Sequence, residues 1–232
     1  MKRPQFVNGE IYHIVMRGVG DAEIFRTTND YYRGIFSLYE FNDVNAVSIR
    51  DRREVRLAAK RRGVENFSAE RDQFVGILAF CFMPNHIHLI LQQIKDDGIS
   101  KFMQKFGTGY ASYFNKKYNR KGHLFGRFHA VHIKNDLQLQ IGFVYVHCNP
   151  LSLIEPKWRE VGVKNSRKAT KFLENYKFSS YSDYIGKNNF PSVTTRAFLS
   201  KIMGGKKGCR NFVQDWIRHK KELRDWHRLD IE

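Results

Sequence analysis

Hydrophobic positions along the chain follow two periods. Tyr12-His13-Ile14-Val15-Met16 reads as a strand, with Arg17-Gly18-Val19-Gly20-Asp21 as the loop after it. Tyr31, Ile35, Phe36 and Tyr39 are apolar at helical spacing, with Asn29 or Asp30 as the cap. Phe74 to Phe82 is apolar and rich in strand formers, Met83-Pro84-Asn85 interrupts it, and His86 to Gln92 resumes, which predicts a hairpin of central strands. Ile99, Phe102, Met103, Phe106, Tyr110 and Phe114 mark an amphipathic helix, and a basic-aromatic loop is expected over Asn115 to Arg127. Val131-His132-Ile133 reads as a short edge strand, and Asp136 caps a helix from Leu137 to Asn149 that ends at Pro150. Beyond it, Lys164 to Lys171 is a linker or short helix, and Asn211 to Leu229 is amphipathic, with Val213, Trp216, Ile217 and Leu223 on one side. No internal repeat or low-complexity tract is visible. The order of elements suggests an α/β sandwich with a mainly antiparallel sheet and helices on one face.

Composition narrows the partner. The 232 residues are 42% hydrophobic and 14% aromatic, enough for one sizeable core or a core with a small appendage. Forty Lys and Arg against 23 Asp and Glu give +17, a self-repulsion that a polyanionic partner explains best. A membrane surface or an acidic protein remains open from charge alone. Arg50 to Arg62, with seven basic and two acidic residues, is either a DNA-facing arm or a solvated helix. The apolar run Phe74 to Met83 is too short to span a bilayer, and Met1 to Gln5 leads into no signal-peptide core. Cys81, Cys148 and Cys209 are few, scattered and odd in number, which suits buried thiols in a reducing cytoplasm.

Two small constellations carry chemistry. Side chains alternate along a strand, so His86 and His88 point the same way and make half of a metal site. Two histidines on a strand are often incidental. Here they directly follow a Pro-Asn turn in an otherwise apolar strand, where unsatisfied imidazoles are costly. On the later helix, Leu137, Ile141, Val144 and Cys148 form the apolar stripe. At about 100° per residue, Tyr145 and Asn149 sit together, roughly 90° from its centre. Tyr145 is then either a half-buried packing residue or a nucleophile. Asn149 is either a helix-end residue before Pro150 or an amide oxygen offered to a metal.

The run Cys81-Phe82-Met83-Pro84-Asn85-His86-Ile87-His88-Leu89-Ile90 resembles the signature of the single-tyrosine HUH transposases, in particular the REP-associated tyrosine transposase branch. The likeness extends to Tyr12–Gly18, Ile24–Arg26, Gly122–Phe125, Arg127-Phe128, Tyr145–Pro150 and Phe178–Tyr184, so it spans about residues 8–190. Two departures touch loops expected to contact DNA: Phe125-Gly126-Arg127 is one residue shorter than the family's usual form, and Arg17-Gly18-Val19 replaces a common Arg-Gly-Asn.

This resemblance implies an α+β, ferredoxin/RRM-like antiparallel sheet of the HUH-endonuclease type over residues 1–190, with a basic insertion at about 45–70 and a C-terminal helical extension over 191–232. It implies that His86, His88 and Asn149 hold Mg²⁺ or Mn²⁺, and that Tyr145 nicks single-stranded DNA through a 5′-phosphotyrosine and transfers the strand. Single-stranded or hairpin DNA would be bound by Arg17, Arg26, Lys116, Lys117, Tyr118, Arg120, Lys121, Phe125 and Arg127, charges for phosphates interleaved with rings for bases. The expected setting is the cytoplasm, associated with the nucleoid, with no membrane partner and a monomer or homodimer. A domesticated hairpin-binding protein without transposition activity is the alternative. A water-using metal phosphodiesterase and a replication initiator or relaxase are further competitors. The last would need a longer chain or a helicase module.

Overall fold

Alternation along the first strand, β1 (Ile11–Arg17), sends Tyr12, Ile14 and Met16 to one face of a sheet and His13, Val15 and Arg17 to the other. The computed structural model describes residues 4–64 and 71–219. β2 (Val75–Met83), β3 (His86–Gln93) and β4 (His129–Ile133) complete a four-stranded antiparallel sheet in the order β2-β3-β1-β4. Pro84 and Asn85 alone join β2 to β3. A bulge between Ile77 and Ala79 resets the alternation of β2, so Ile77 and Phe80 both reach the first core.

That first core lies under α1 (Thr28–Phe41) and α3 (Gly98–Lys117). Tyr12, Ile14, Met16, Phe80, Phe82, Ile87, Leu89 and Leu91 from the sheet meet Ile35, Leu38, Phe102, Phe106 and Tyr110 from the helices. Gly109 permits the contact between the two helices, since a Cβ there would stand 2.3 Å from the Phe41 ring. α2 (Ile49–Arg61) is the basic stretch. It is fastened by Arg52 to Asp43 at 2.8 Å and by Arg56 to Glu40, both carboxylates fully buried. Arg50 pairs within the helix with Glu54.

The sequence predicts one helical face, and α1 with α3 supply it. The opposite face is covered as well. α4 (Asp136–Cys148) lies directly on it, and α5 (Trp158–Val161), α6 (Ser166–Asn175), α7 (Tyr181–Tyr184), α8 (Arg196–Ile202) and α9 (Gly205–His219) pack into the same second core. Leu78, Cys81, Ile90 and Ile133 of the sheet share this second core with Phe143, Val146, Leu173, Tyr184, Leu199, Val213 and Ile217. Being sandwiched explains why α4 is apolar nearly all round rather than striped. Leu137, placed by its spacing in the buried stripe, is 48% exposed, whereas Leu139 and Phe143 are buried. The predicted stretch to Leu229, including Leu223, and part of the basic insertion lie outside the described residues.

β2 is an edge strand, not the central one its apolar run suggests. It reads as central because its edge is sealed by later chain. Phe82 N donates to Phe178 O, Ser180 N to Phe80 O, Thr195 N to Ile77 O and Tyr184 Oη to Leu78 O. The segment Phe178–Tyr184 therefore supplies partners to an otherwise open strand. No described helix is long and apolar enough to cross a membrane.

Candidate active site

The two-residue turn ends β2 and starts β3 at His86, so the imidazoles emerge at one end of the sheet. The pairing places His86 opposite Arg17 and His88 opposite Val15. Loop carbonyls gather at the same end: Gly18 N donates to Asn85 O, Ile24 N to Pro84 O and Gly126 N to Arg17 O. His86 is half-buried and His88 is 3% exposed, with their ring centroids 4.8 Å apart.

Asn135, rather than the expected Asp136, caps α4, its side chain accepting from Gln138 N at 2.9 Å. The helix lies over the sheet face that carries His13 and His88. The Tyr145 ring lies 5.6 Å from that of His88 and 5.5 Å from that of His13. One turn on, Asn149 starts a short 3₁₀ segment and is buried. Its Nδ2 donates to Tyr145 O at 2.9 Å, while His86 Nδ1 lies 2.6 Å from Asn85 Oδ1. His86, His88, Tyr145 and Asn149 thus form one cluster, open to solvent on the His86 and Tyr145 side.

Two further residues join them. His13 of β1 is fully buried, with its Nε2 3.1 Å from His88 Nδ1. Arg159 of α5 donates from Nη2 to Asn149 Oδ1 at 2.7 Å and lies over the Tyr145 ring, 5.1 Å from its centroid. The β alternation of His13 was available in the sequence as a signal. Arg159 had none, because only the packing of the short α5 brings it in.

Electrostatics keeps the imidazoles neutral. Burial, then the charges of Arg17 and Arg159, push His86 down to about 4, with the nearby Asn149 amide opposing them. Burial, then the neighbouring His13 and His86, hold His88 well below the usual histidine range. Neutral imidazoles retain the lone pairs that a metal needs. His88 Nε2 is buried and has no hydrogen-bond partner among the described residues. That orphaned nitrogen, beside a second imidazole and an amide oxygen, fits a divalent ion. Among the described residues no group of three or more His, Cys, Asp or Glu is arranged to hold a metal, so a third protein ligand here would be the Asn149 amide.

The basic-aromatic segment divides. Lys116 and Lys117 end α3 rather than sit in a loop, because the apolar spacing through Phe114 carries the helix on. Lys116, Lys121 and Arg127 are exposed. Lys117, exposed as well, reaches Asp30 at 2.7 Å, and Tyr118 donates to the same carboxylate at 2.7 Å. Burial pushes Asp30 up, yet the hydrogen bonds from Lys117, Tyr118 and Tyr113 outweigh it and hold the carboxyl at about 2. Arg26 lies over the Phe114 and Tyr118 rings, Arg120 holds Asn115 Oδ1 and His123 O, and Arg17 pairs with Asp21. Phe125 packs against Phe106 and Tyr110, on the first core.

The chain is similar to several known proteins. One solved structure it is similar to is a REP-associated tyrosine transposase bound to a REP hairpin, at 15% identity, covering 83% of this chain and 88% of that one, with a TM-score of 0.48. Another is a bacterial tRNA(His) guanylyltransferase-like protein in complex with ATP, at 10% identity, covering 78% and 77%, with a TM-score of 0.38. No curated protein matches. Residues 52–149, the segment that carries His86, His88, Tyr145 and Asn149, match the family of IS200-like transposases, so the transposase resemblance read from the sequence holds where the candidate chemistry lies.

Proposed function

We propose that the protein is a metal-dependent, single-tyrosine nickase and strand transferase of single-stranded DNA, with Tyr145 as nucleophile and His86, His88 and Asn149 as ligands of Mg²⁺ or Mn²⁺. The observation that carries this reading is the approach of Tyr145 to the His86–His88 pair, with Asn149 one turn on and bonded back to Tyr145 O. The IS200-like match over the same segment supports a transposase-like, DNA-processing role.

When bound, the divalent ion supplies Lewis-acid neutralisation of charge on the scissile phosphate. His88 would offer Nε2 in the tautomer that carries its proton on Nδ1, with His13 Nε2 accepting that proton. Asn149 sits one helical turn after Tyr145, so a single short helix presents nucleophile and ligand together. The Tyr145 oxygen attacks phosphorus, and the bond from phosphorus to the 3′-oxygen breaks. The phenolic proton leaves Tyr145 and the departing oxygen gains one, giving a 5′-phosphotyrosine and a free 3′-hydroxyl. Because the phosphoester keeps the bond energy, a later 3′-hydroxyl can reverse the step and join strands. Exposed Lys116, Lys121 and Arg127 are the cations best placed to meet phosphates.

The test is a denaturation-resistant protein–DNA adduct on single-stranded hairpin DNA in Mg²⁺ or Mn²⁺. Tyr145→Phe removes only the hydroxyl and should abolish the adduct while DNA affinity persists. A nucleotide found by mass spectrometry on any other residue overturns the assignment. Cleavage without an adduct points to water as nucleophile. Hairpin binding by the wild type with neither cleavage nor adduct supports the domesticated, binding-only alternative.

A further inference from the structure

The short helix α5 delivers a cation that the chemistry above leaves unused. Trp158 is 2% exposed and anchors α5 in the second core. The next residue, Arg159, is half-buried and turned to the cluster. Its Nη2 sits 2.7 Å from Asn149 Oδ1, the very oxygen assigned to the metal, and its guanidinium lies 5.1 Å from the Tyr145 ring centroid.

A guanidinium and a divalent cation at one amide oxygen repel each other. An amide carbonyl has two lone pairs, so geometry alone permits both, but charge opposes it. A phosphate placed between the two cations reverses the sign, because each is then attracted to the shared anion. The planar fork of arginine also matches two phosphate oxygens better than one amide oxygen.

We infer that Arg159 is an electrostatic latch on Asn149: guanidinium and divalent metal compete for Oδ1, and an incoming DNA phosphate draws the guanidinium away. Metal and DNA then bind cooperatively, each tightening the other by the same factor. Metal loading is thereby linked to the presence of substrate. Arg159 ends in contact with the phosphate that Tyr145 attacks, so it also takes part in orienting that group. This inference rests on the metal reading given under the proposed function.

The test measures Mn²⁺ binding by electron paramagnetic resonance on the full chain carrying Tyr145→Phe, with and without a single-stranded hairpin oligonucleotide. Without DNA, adding Arg159→Gln should tighten Mn²⁺ binding on the order of tenfold, since a unit charge beside a divalent ion is removed. The further tightening caused by DNA should shrink in that variant. Arg159→Lys keeps the charge and should stay within about threefold of the parent without DNA. Equal or weaker Mn²⁺ binding by Arg159→Gln overturns the latch and leaves Arg159 as a prop for Asn149. If Arg159→Gln fails to fold by circular dichroism, the parent decides: no mutual tightening between Mn²⁺ and DNA overturns the latch. Parent binding of Mn²⁺ no better than a His86→Ala, His88→Ala control overturns the metal reading itself, an outcome distinct from failure of the latch alone.

Discussion

His13 Nε2 stands 3.1 Å from His88 Nδ1, and the two imidazole planes are within 2° of parallel. Only one proton fits between these nitrogens. When it belongs to His88, the lone pair of His88 Nε2 faces the cluster; when it belongs to His13, that lone pair gives way to N–H. His13 is therefore a positioning residue. His13→Leu should weaken Mn²⁺ binding about tenfold to a hundredfold, the usual cost of removing such a partner. His13→Gln retains an oxygen that accepts from Nδ1 and should recover part of that affinity. Titration of Mn²⁺ into the three proteins checks this, and equal affinity in all three would refute the role of His13.

Removing the ligands should separate chemistry from binding. His86→Ala with His88→Ala, or a chelator added to wild type, should abolish cleavage of single-stranded hairpin DNA. Affinity for the same DNA should fall only slightly, since phosphate contacts from Lys and Arg carry it. Gel cleavage and fluorescence anisotropy on one oligonucleotide give both quantities. Undiminished cleavage by the double variant in Mg²⁺ or Mn²⁺ contradicts the metal site.

Adjacent lysines at the end of α3 should behave differently. Both are exposed, but only Lys117 is held by the fully buried Asp30. Lys117→Met should cost about 1–3 kcal/mol of stability by taking one charged partner from a buried carboxylate. Lys116→Ala should leave the melting temperature nearly unchanged and weaken DNA binding. Removing one cation that neutralises a phosphate should lower the salt slope of single-strand affinity by about 0.7. Thermal melts and anisotropy at several salt concentrations distinguish the two, and the reverse pattern would rule out this division.

Acid should destabilise the fold partly through His147. Burial in the second core pushes His147 down to about 3, with its Nε2 2.8 Å from Ser180 Oγ. An unfolded histidine titrates near pH 6.5. The folded pKa is the lower one, so the stabilisation from a neutral His147 is complete above about 6.5. It is lost as pH falls from there toward about 3, at up to about 1.4 kcal/mol per pH unit. His147→Gln should flatten this part of the stability curve relative to wild type. Urea melts between pH 7 and 4 measure it, and identical slopes in both proteins would show that His147 contributes nothing to the acid side.

Several features were legible because they depend on neighbours in sequence. The Pro84-Asn85 turn fixes the hairpin, the period of two puts His86 and His88 on one face, and the period of 3.6 puts Tyr145 and Asn149 one turn apart. The spacing from Ile99 to Phe114 marks α3 for the same reason. What depends on distant chain was not legible. β2 read as central because Phe178 to Thr195 seals its edge, and a buried edge strand has the same composition as a central one. α4 read as striped because the helices that cover its outer side come from beyond Pro150, where local periodicity is weak. That Lys117 and Tyr118 bond Asp30 was not legible either, because a basic-aromatic run looks the same whether or not its members also meet a buried carboxylate. His13 and Arg159 reach the cluster from far along the chain, His13 through strand pairing and Arg159 through the burial of Trp158. Local spacing determined which residues share a face. Only tertiary packing decided what each face meets, because burial and charge pairing depend on segments that no local pattern brings together.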